Sequence, residues 1–143
     1  MRKIFFILLL LSLVFSCRKA SDRKCWKSAG PYAEKVIQLG DFNRLFEKLN
    51  GKEVSYNNIL DIDAACRLIQ DFSEPTFAIM KHNNSCGLAT RANITEAYIA
   101  ALASDPKSAF GGVLISNKEI DEDTANEINT LFFEIILSPS YSE

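Results

Sequence analysis

Thr76-Phe-Ala-Ile-Met-Lys-His-Asn-Asn-Ser-Cys-Gly87 is the stretch whose reading decides the fold. Five mostly apolar residues run into a Lys-His pair, and a polar loop ending in Gly follows. The apolar run is short, contains β-branched Thr76 and Ile79, and is preceded by Pro75, so it is expected to be a strand rather than a helix. Chemistry at the carboxyl end of a buried strand is the usual arrangement in α/β proteins. His82 is the only histidine in the chain. An imidazole can take up a proton near neutral pH, and a neighbouring ammonium can stabilise developing negative charge. Adjacent side chains on a strand point to opposite faces. For both to reach one substrate, the strand must end or twist at Lys81. A lone histidine at a strand end is also a common hydrogen-bonded structural residue.

Downstream of this stretch, Asn93-Ile-Thr-Glu96 has the form of a capping box. It predicts a helix to about Ala103, with Pro106 marking its end. Phe110-Gly111-Gly112 then opens a strand over Val113 to Ser116. Two glycines permit positive φ and a close approach of a ligand to the backbone, or simply a tight turn. Asn117-Lys118 reads as a turn. A helix from Asp121 to about Phe132, with Ala125, Ile128, Leu131 and Phe132 inward, and a strand from Glu134 to Leu137 complete the pattern.

Upstream, Ser55 is expected to cap a helix from about Tyr56 to Phe72, with Ile59, Ile62, Cys66 and Ile69 on its buried face. Asp61 and Asp63 lie early in that helix and are expected to be solvated or to serve its positive end. Phe42, Leu45, Phe46 and Leu49 recur with helical spacing after Asp41 and predict a short helix to Leu49, ended by Asn50-Gly51. From Tyr56 onward the order is helix, strand, helix, strand, helix, strand. That alternation implies an α/β layer with mostly parallel strands. The sheet edge after the last strand is expected to be open unless another chain or further sequence covers it.

The first 17 residues have a different character. Met1-Arg2-Lys3 is basic, Ile4 to Phe15 is apolar apart from Ser12, and Ser16-Cys17 meets basic Arg18-Lys19. This is a secretory signal pattern, too short to span a bilayer comfortably. Val14-Phe15-Ser16-Cys17 resembles a lipobox in which Cys17 would be lipidated. Residues 18–39 read as a linker or arm, and 40–143 as the folded part. The net charge of −2 gives no basic footprint for nucleic acid. The four cysteines, Cys17, Cys25, Cys66 and Cys86, show no C-x-x-C spacing, and with one histidine they cannot complete a usual zinc site, so no metal is expected. Cys66 reads as a core residue; Cys86 is either a packing residue or a nucleophile.

Three longer segments, taken together, resemble a known family: Gly51-Lys-Glu-Val-Ser-Tyr-Asn-Asn-Ile-Leu-Asp-Ile-Asp-Ala-Ala65, Lys81-His-Asn-Asn-Ser-Cys-Gly87 and Asp105-Pro-Lys-Ser-Ala-Phe-Gly-Gly112. They are similar, in order and spacing, to the bifunctional purine biosynthesis enzymes that join AICAR transformylase to IMP cyclohydrolase. The likeness runs from about Gly40 to the last residue and covers the first part of the family's transformylase region. It implies formyl transfer from 10-formyltetrahydrofolate, as co-substrate, to the 5-amino group of AICAR ribotide. It implies His82 as proton acceptor, Lys81 as transition-state stabiliser, and Lys81, His82 and Gly111 as substrate-binding residues. It also implies a fold like the cytidine deaminase layer without a zinc site, a homodimer, and a cytoplasmic location. Ser85 stands where the family commonly has Pro. A faint echo of the family's Arg-Tyr-Gly-x-Asn-Pro-His-Gln motif is present at Tyr32, Glu34 and Gln38. The expectation is therefore a truncated transformylase, without the cyclohydrolase domain and with little activity alone. The alternative is an exported lipoprotein or binding module carrying a transformylase-derived fragment.

Overall fold

The computed structural model describes residues 24–28 and 46–142. The signal-like segment with Cys17, the first residues of the expected 41–49 helix, and the Tyr32, Glu34 and Gln38 echo lie outside the described residues. Among the described residues the elements are β1 (Lys24–Ser28), β2 (Phe46–Asn50), α1 (Tyr56–Ile69), β3 (Thr76–Lys81), β4 (Asn84–Thr90), α2 (Ile94–Ser104), α3 (Pro106–Ala109), β5 (Gly112–Ser116), α4 (Glu122–Ile128) and β6 (Phe133–Ser138). The six strands form one sheet in the order β2-β1-β6-β5-β3-β4.

The alternation of side chains along a strand builds the two cores. Ala78 and Met80 of β3, Val113 and Ile115 of β5, and Ile135 and Leu137 of β6 meet the Ile59, Ile62, Ala65, Cys66 and Ile69 face of α1. Phe77, Ile79, Leu114 and Ile136 point the other way, toward Ala97, Tyr98 and Ala101 of α2 and Ile128 of α4. The central strands are therefore covered on both faces, which is why they read as unbroken apolar runs. All five residues of β5 are buried.

The starts of α1 and α2 follow their predicted caps, and a third cap, Asp121, opens α4. The Ser55 hydroxyl accepts from the Asn58 N–H, and the Asn58 side chain accepts from the Ser55 N–H. Asn93 accepts from the Glu96 N–H at 2.8 Å. Asp121 caps α4 through the Thr124 N–H and hydroxyl, donors that hold its carboxyl below the ordinary value. At the other end of β3, Asn117 acts as a latch. Its side-chain oxygen accepts from the Thr76 N–H, and its amide nitrogen donates to the carbonyls of Phe72 and Glu74.

The sheet departs from the expected order in several ways. It is mixed: β5–β6 and β1–β6 pair parallel, but β3–β4, β3–β5 and β1–β2 pair antiparallel. The polar loop after Lys81 is only a two-residue turn, because Asn84–Thr90 returns at once as β4. That added strand reverses the direction on which the parallel reading relied.

Phe46–Asn50 is a strand paired with β1, not the end of a helix. A short apolar run fits either period, and pairing with a neighbour decides it. That neighbour, β1, arises within the segment read as an arm. The last strand is not an edge, since β1 pairs with its free side; β2 and β4 are the edges of the described sheet. Helix α4 stops at Ile128, four residues early. The Thr130 hydroxyl and N–H both donate to the Glu127 carbonyl, and the chain then releases Phe132, whose carbonyl accepts from the Gly111 N–H at 2.8 Å.

Helix α2 presses closely on β4. A Cβ on Gly87 would lie 2.1 Å from the backbone oxygen of Ala101, a contact no side-chain motion relieves. Gly87→Ala is therefore expected to destabilise the chain by about 1–3 kcal/mol or more; an unchanged urea midpoint would show that α2 yields freely. Nearby, Tyr98 is buried, with its ring edge on Phe77 at a centroid distance of 5.0 Å. Its phenol oxygen is buried with no hydrogen-bond partner among the described residues. Burial, and then the Glu127 carboxylate, push its pKa up to about 12. Tyr98→Phe removes that uncompensated hydroxyl and keeps the ring contact. It is expected to leave stability unchanged or raise it by up to about 1 kcal/mol; a loss of that size in the same urea titration would mean the hydroxyl is satisfied.

Candidate functional site

The β3–β4 turn supplies two of the three predicted site residues. Lys81 ends β3 opposite Asn84, and His82 and Asn83 form the turn with φ of 52° and 62°. Two central residues at positive φ are the mark of the type I′ hairpin turn, which matches the twist of the flanking strands. Asn and His are among the side chains that tolerate this region best. Each left-handed non-glycine residue still costs on the order of 1–3 kcal/mol and persists only where its surroundings hold it. The hold comes partly from α1: the Asp61 carboxylate accepts from the Asn83 backbone N–H at 2.6 Å. The Asn83 side chain, with its amide nitrogen toward α1, also donates to Asp61 at 3.0 Å and to the Leu60 carbonyl at 3.3 Å. Within the turn, the Asn84 amide donates to the His82 carbonyl at 3.0 Å.

The entry to β5 supplies the third residue. Because β3 and β5 are antiparallel, with Met80 opposite Val113, the end of β3 lies beside the start of β5. The Lys81 ammonium donates to the Phe110 carbonyl at 2.5 Å. Gly111 has φ of +70°, and a Cβ there would meet Lys81 Nζ at 3.2 Å and the Phe132 ring at 3.7 Å. Lys81 and Gly111 are thus brought into contact. His82 is next to Lys81 in the chain and exposed, and its ring forms no hydrogen bond among the described residues. The positive φ at His82 breaks the strand alternation, the geometric condition under which both side chains can serve one substrate.

Two features escaped the sequence. Phe110 is 61% exposed and its ring lies 5.1 Å from that of Phe132, so an aromatic wall stands beside the lysine. An exposed aromatic directly before Gly-Gly was the available signal. Asp61 had none, because its partner is 22 residues away.

Cys86 is the extra residue of a β-bulge, since Ile79 pairs with Gly87 and Met80 with Ser85. Its thiol donates to the Ile79 carbonyl at 3.4 Å. Burial raises its pKa above the ordinary value; a backbone hydrogen bond opposes this, the Asp105 carboxylate adds to it, and Lys81 lowers it least. A raised thiol is a poor nucleophile at neutral pH, so the packing alternative fits Cys86. Cys66 is buried and its thiol is pushed well up by burial. Among the described residues no group of three or more His, Cys, Asp and Glu side chains could hold a metal ion.

Fold and cluster together define a mixed α/β domain with a histidine and a lysine side by side at one end of its sheet. Sequence comparison gives the family. The model of the AICARFT/IMPCHase bienzyme matches residues 27–143. The chain is 48% identical over 127 residues to the bifunctional purine biosynthesis protein PurH of Bacteroides thetaiotaomicron, covering 89% of this chain and 25% of that protein. It is 52% identical over 97 residues to PurH of Acetivibrio thermocellus (68% of this chain, 19% of that one) and 55% identical over 93 residues to PurH of Rhodospirillum rubrum (65% and 18%). The chain belongs to the AICARFT/IMPCHase bienzyme family, and it spans a quarter or less of the length of these curated relatives.

Gly111 offers a direct check on this end of the sheet. Gly111→Ala must strain a left-handed backbone and displace the Lys81 ammonium. It is expected to cost about 1–2 kcal/mol in chemical denaturation. A cost near zero would mean that the backbone at 111 moves freely out of positive φ.

Proposed function

We propose that this chain forms part of an AICAR transformylase site in purine biosynthesis, with Lys81, His82 and Gly111 as its contribution to binding AICAR ribotide. The observation that supports this reading most is the contact of the Lys81 ammonium with the Phe110-Gly111 backbone, next to the turn carrying His82. Two separate family segments converge there. The reaction needs help, because the 5-amino group of AICAR is a weak nucleophile whose lone pair is drawn into the ring and carboxamide. Its nitrogen forms a bond to the formyl carbon of 10-formyltetrahydrofolate. Negative charge develops on the formyl oxygen; as it returns to a carbonyl, the bond from that carbon to N10 of the folate breaks and N10 takes up a proton.

In this scheme His82 takes the proton released by the amine, and Lys81 stabilises the developing charge. Gly111, without a side chain, leaves room for the substrate against the backbone. Asp105 is held charged by the Ser108 hydroxyl and N–H, and it fixes the short α3 turn that leads into Phe110 and Gly111. The layer is read as the cytidine-deaminase-like one of the family, and pairing into a homodimer and a cytoplasmic location go with the same proposal. No helix among the described residues is long and apolar enough to cross a membrane.

The test is calorimetric titration of the purified 143-residue chain with AICAR ribotide. Binding is expected, weakened about tenfold or more in Lys81→Ala and in His82→Ala, as for loss of a hydrogen bond to a charged group. Binding that both variants leave unchanged, or no binding at all, would remove the proposal. Formyl transfer by this chain alone is expected to be undetectable, since both substrates must be positioned as well as activated.

A further inference from the structure

Asp61 is spent on the hairpin turn rather than on solvent or on its own helix. It lies in the second turn of α1, half-buried, and crosses to the next layer of the fold to accept the Asn83 N–H. Its neighbour Asp63 behaves as expected of a helix-surface acid and pairs with Arg67 one turn on, at 3.0 Å. The difference lies in what each reaches.

A general base is commonly aimed by a third group hydrogen-bonded to its ring. The His82 ring has no such partner among the described residues, so its aim depends on the backbone that carries it. That backbone is a strained turn with positive φ at both His82 and Asn83 and no glycine to relax it. The Asn83 N–H is donated outward to Asp61, and the Asn83 side chain reinforces the same contact.

We propose that Asp61 is a positioning residue for His82: its carboxylate ties the His82–Asn83 turn to α1 and so fixes where the imidazole points. Asp61 does not touch the substrate in this scheme. The inference rests on the proposed role of His82, but the tether can be measured without substrate. His82 is the only histidine in the chain, so its ring proton signals are unique in an NMR spectrum.

The experiment compares the full chain with Asp61→Ala, Asp61→Asn and the double variant Asp61→Ala/Asn83→Gly. In Asp61→Ala, exchange of the Asn83 amide proton is expected to quicken about tenfold or more. The His82 ring signals should shift and broaden, and AICAR ribotide affinity should fall with them. Asp61→Asn keeps a side-chain oxygen to accept the same bond and should restore most of the protection. Glycine at 83 adopts the left-handed turn at low cost, so the double variant should recover the wild-type His82 signals without the tether. A merely structural acid would not be rescued by a change in the turn. Unaltered Asn83 exchange and His82 signals in Asp61→Ala would overturn the positioning role, whatever happens to affinity. A wild-type chain with the tether intact and no affinity for AICAR ribotide would instead overturn the function proposed for His82.

Discussion

Strand β3 has no wet face, and the rest of the site follows from that. Phe77 and Ile79 are sealed under α2, and Ala78 and Met80 under α1. On either side its backbone is paired with β4 and β5. Such a strand can present polar chemistry only where it stops. It stops at Lys81, whose stem is half-buried and whose ammonium reaches a carbonyl at the rim. The return strand begins three residues later, so only His82 and Asn83 are left to reverse the chain. The residue beside Lys81 that reverses the chain is therefore also the strained one. Strain of this kind is stable only when several contacts determine it together. Here they are the β-ladder, the Asp61 carboxylate and the Asn84 amide.

The same economy of space explains the glycines and the bulge. Close packing of α2 on β4 needs hydrogen rather than a methyl at Gly87. The bulge at Cys86 adds a residue just before that contact and lets β4 regain register with β3 while the hairpin bends. Cys86 then turns its sulfur back toward the β3 carbonyl at Ile79. The thiol is raised by burial, which suits a residue that packs rather than reacts. Of the two readings the sequence left open for Cys86, the hairpin's geometry fits packing.

Much of this was legible in the sequence because it depends on local rules. The caps at Ser55 and Asn93, the α1 apolar face, and the β3 and β5 runs all follow from spacing and side-chain chemistry. What was illegible depends on partners far along the chain. A helical stripe through Phe46 and Leu49 gave way to pairing with a distant strand, in which Phe46 lies opposite Ser28, and no local period encodes such pairing. The β3–β4 hairpin was hidden because its turn is His-Asn rather than Asn-Gly, so the usual signal for positive φ was missing. Asp61 looked like an ordinary early-helix acid because the group it holds belongs to another layer.

The sense of β3 against β5 shows how fold and site constrain each other. In a parallel pair, Lys81 at the end of β3 would stand beside the end of β5, near Ser116. Gly111, which precedes β5, would then lie a strand length away. Five residues of strand span roughly 17 Å, too far for a lysine side chain to bridge to the Phe110-Gly111 backbone. The antiparallel register instead sets Met80 opposite Val113 and brings the Lys81 ammonium onto that backbone. A mostly parallel sheet and a joint Lys81–Gly111 site were thus incompatible expectations, although each was reasonable when read alone. The hairpin reconciles them. By turning back at His82 and adding β4, the chain can cross through α2 and α3 and enter β5 from the end where Lys81 already stands.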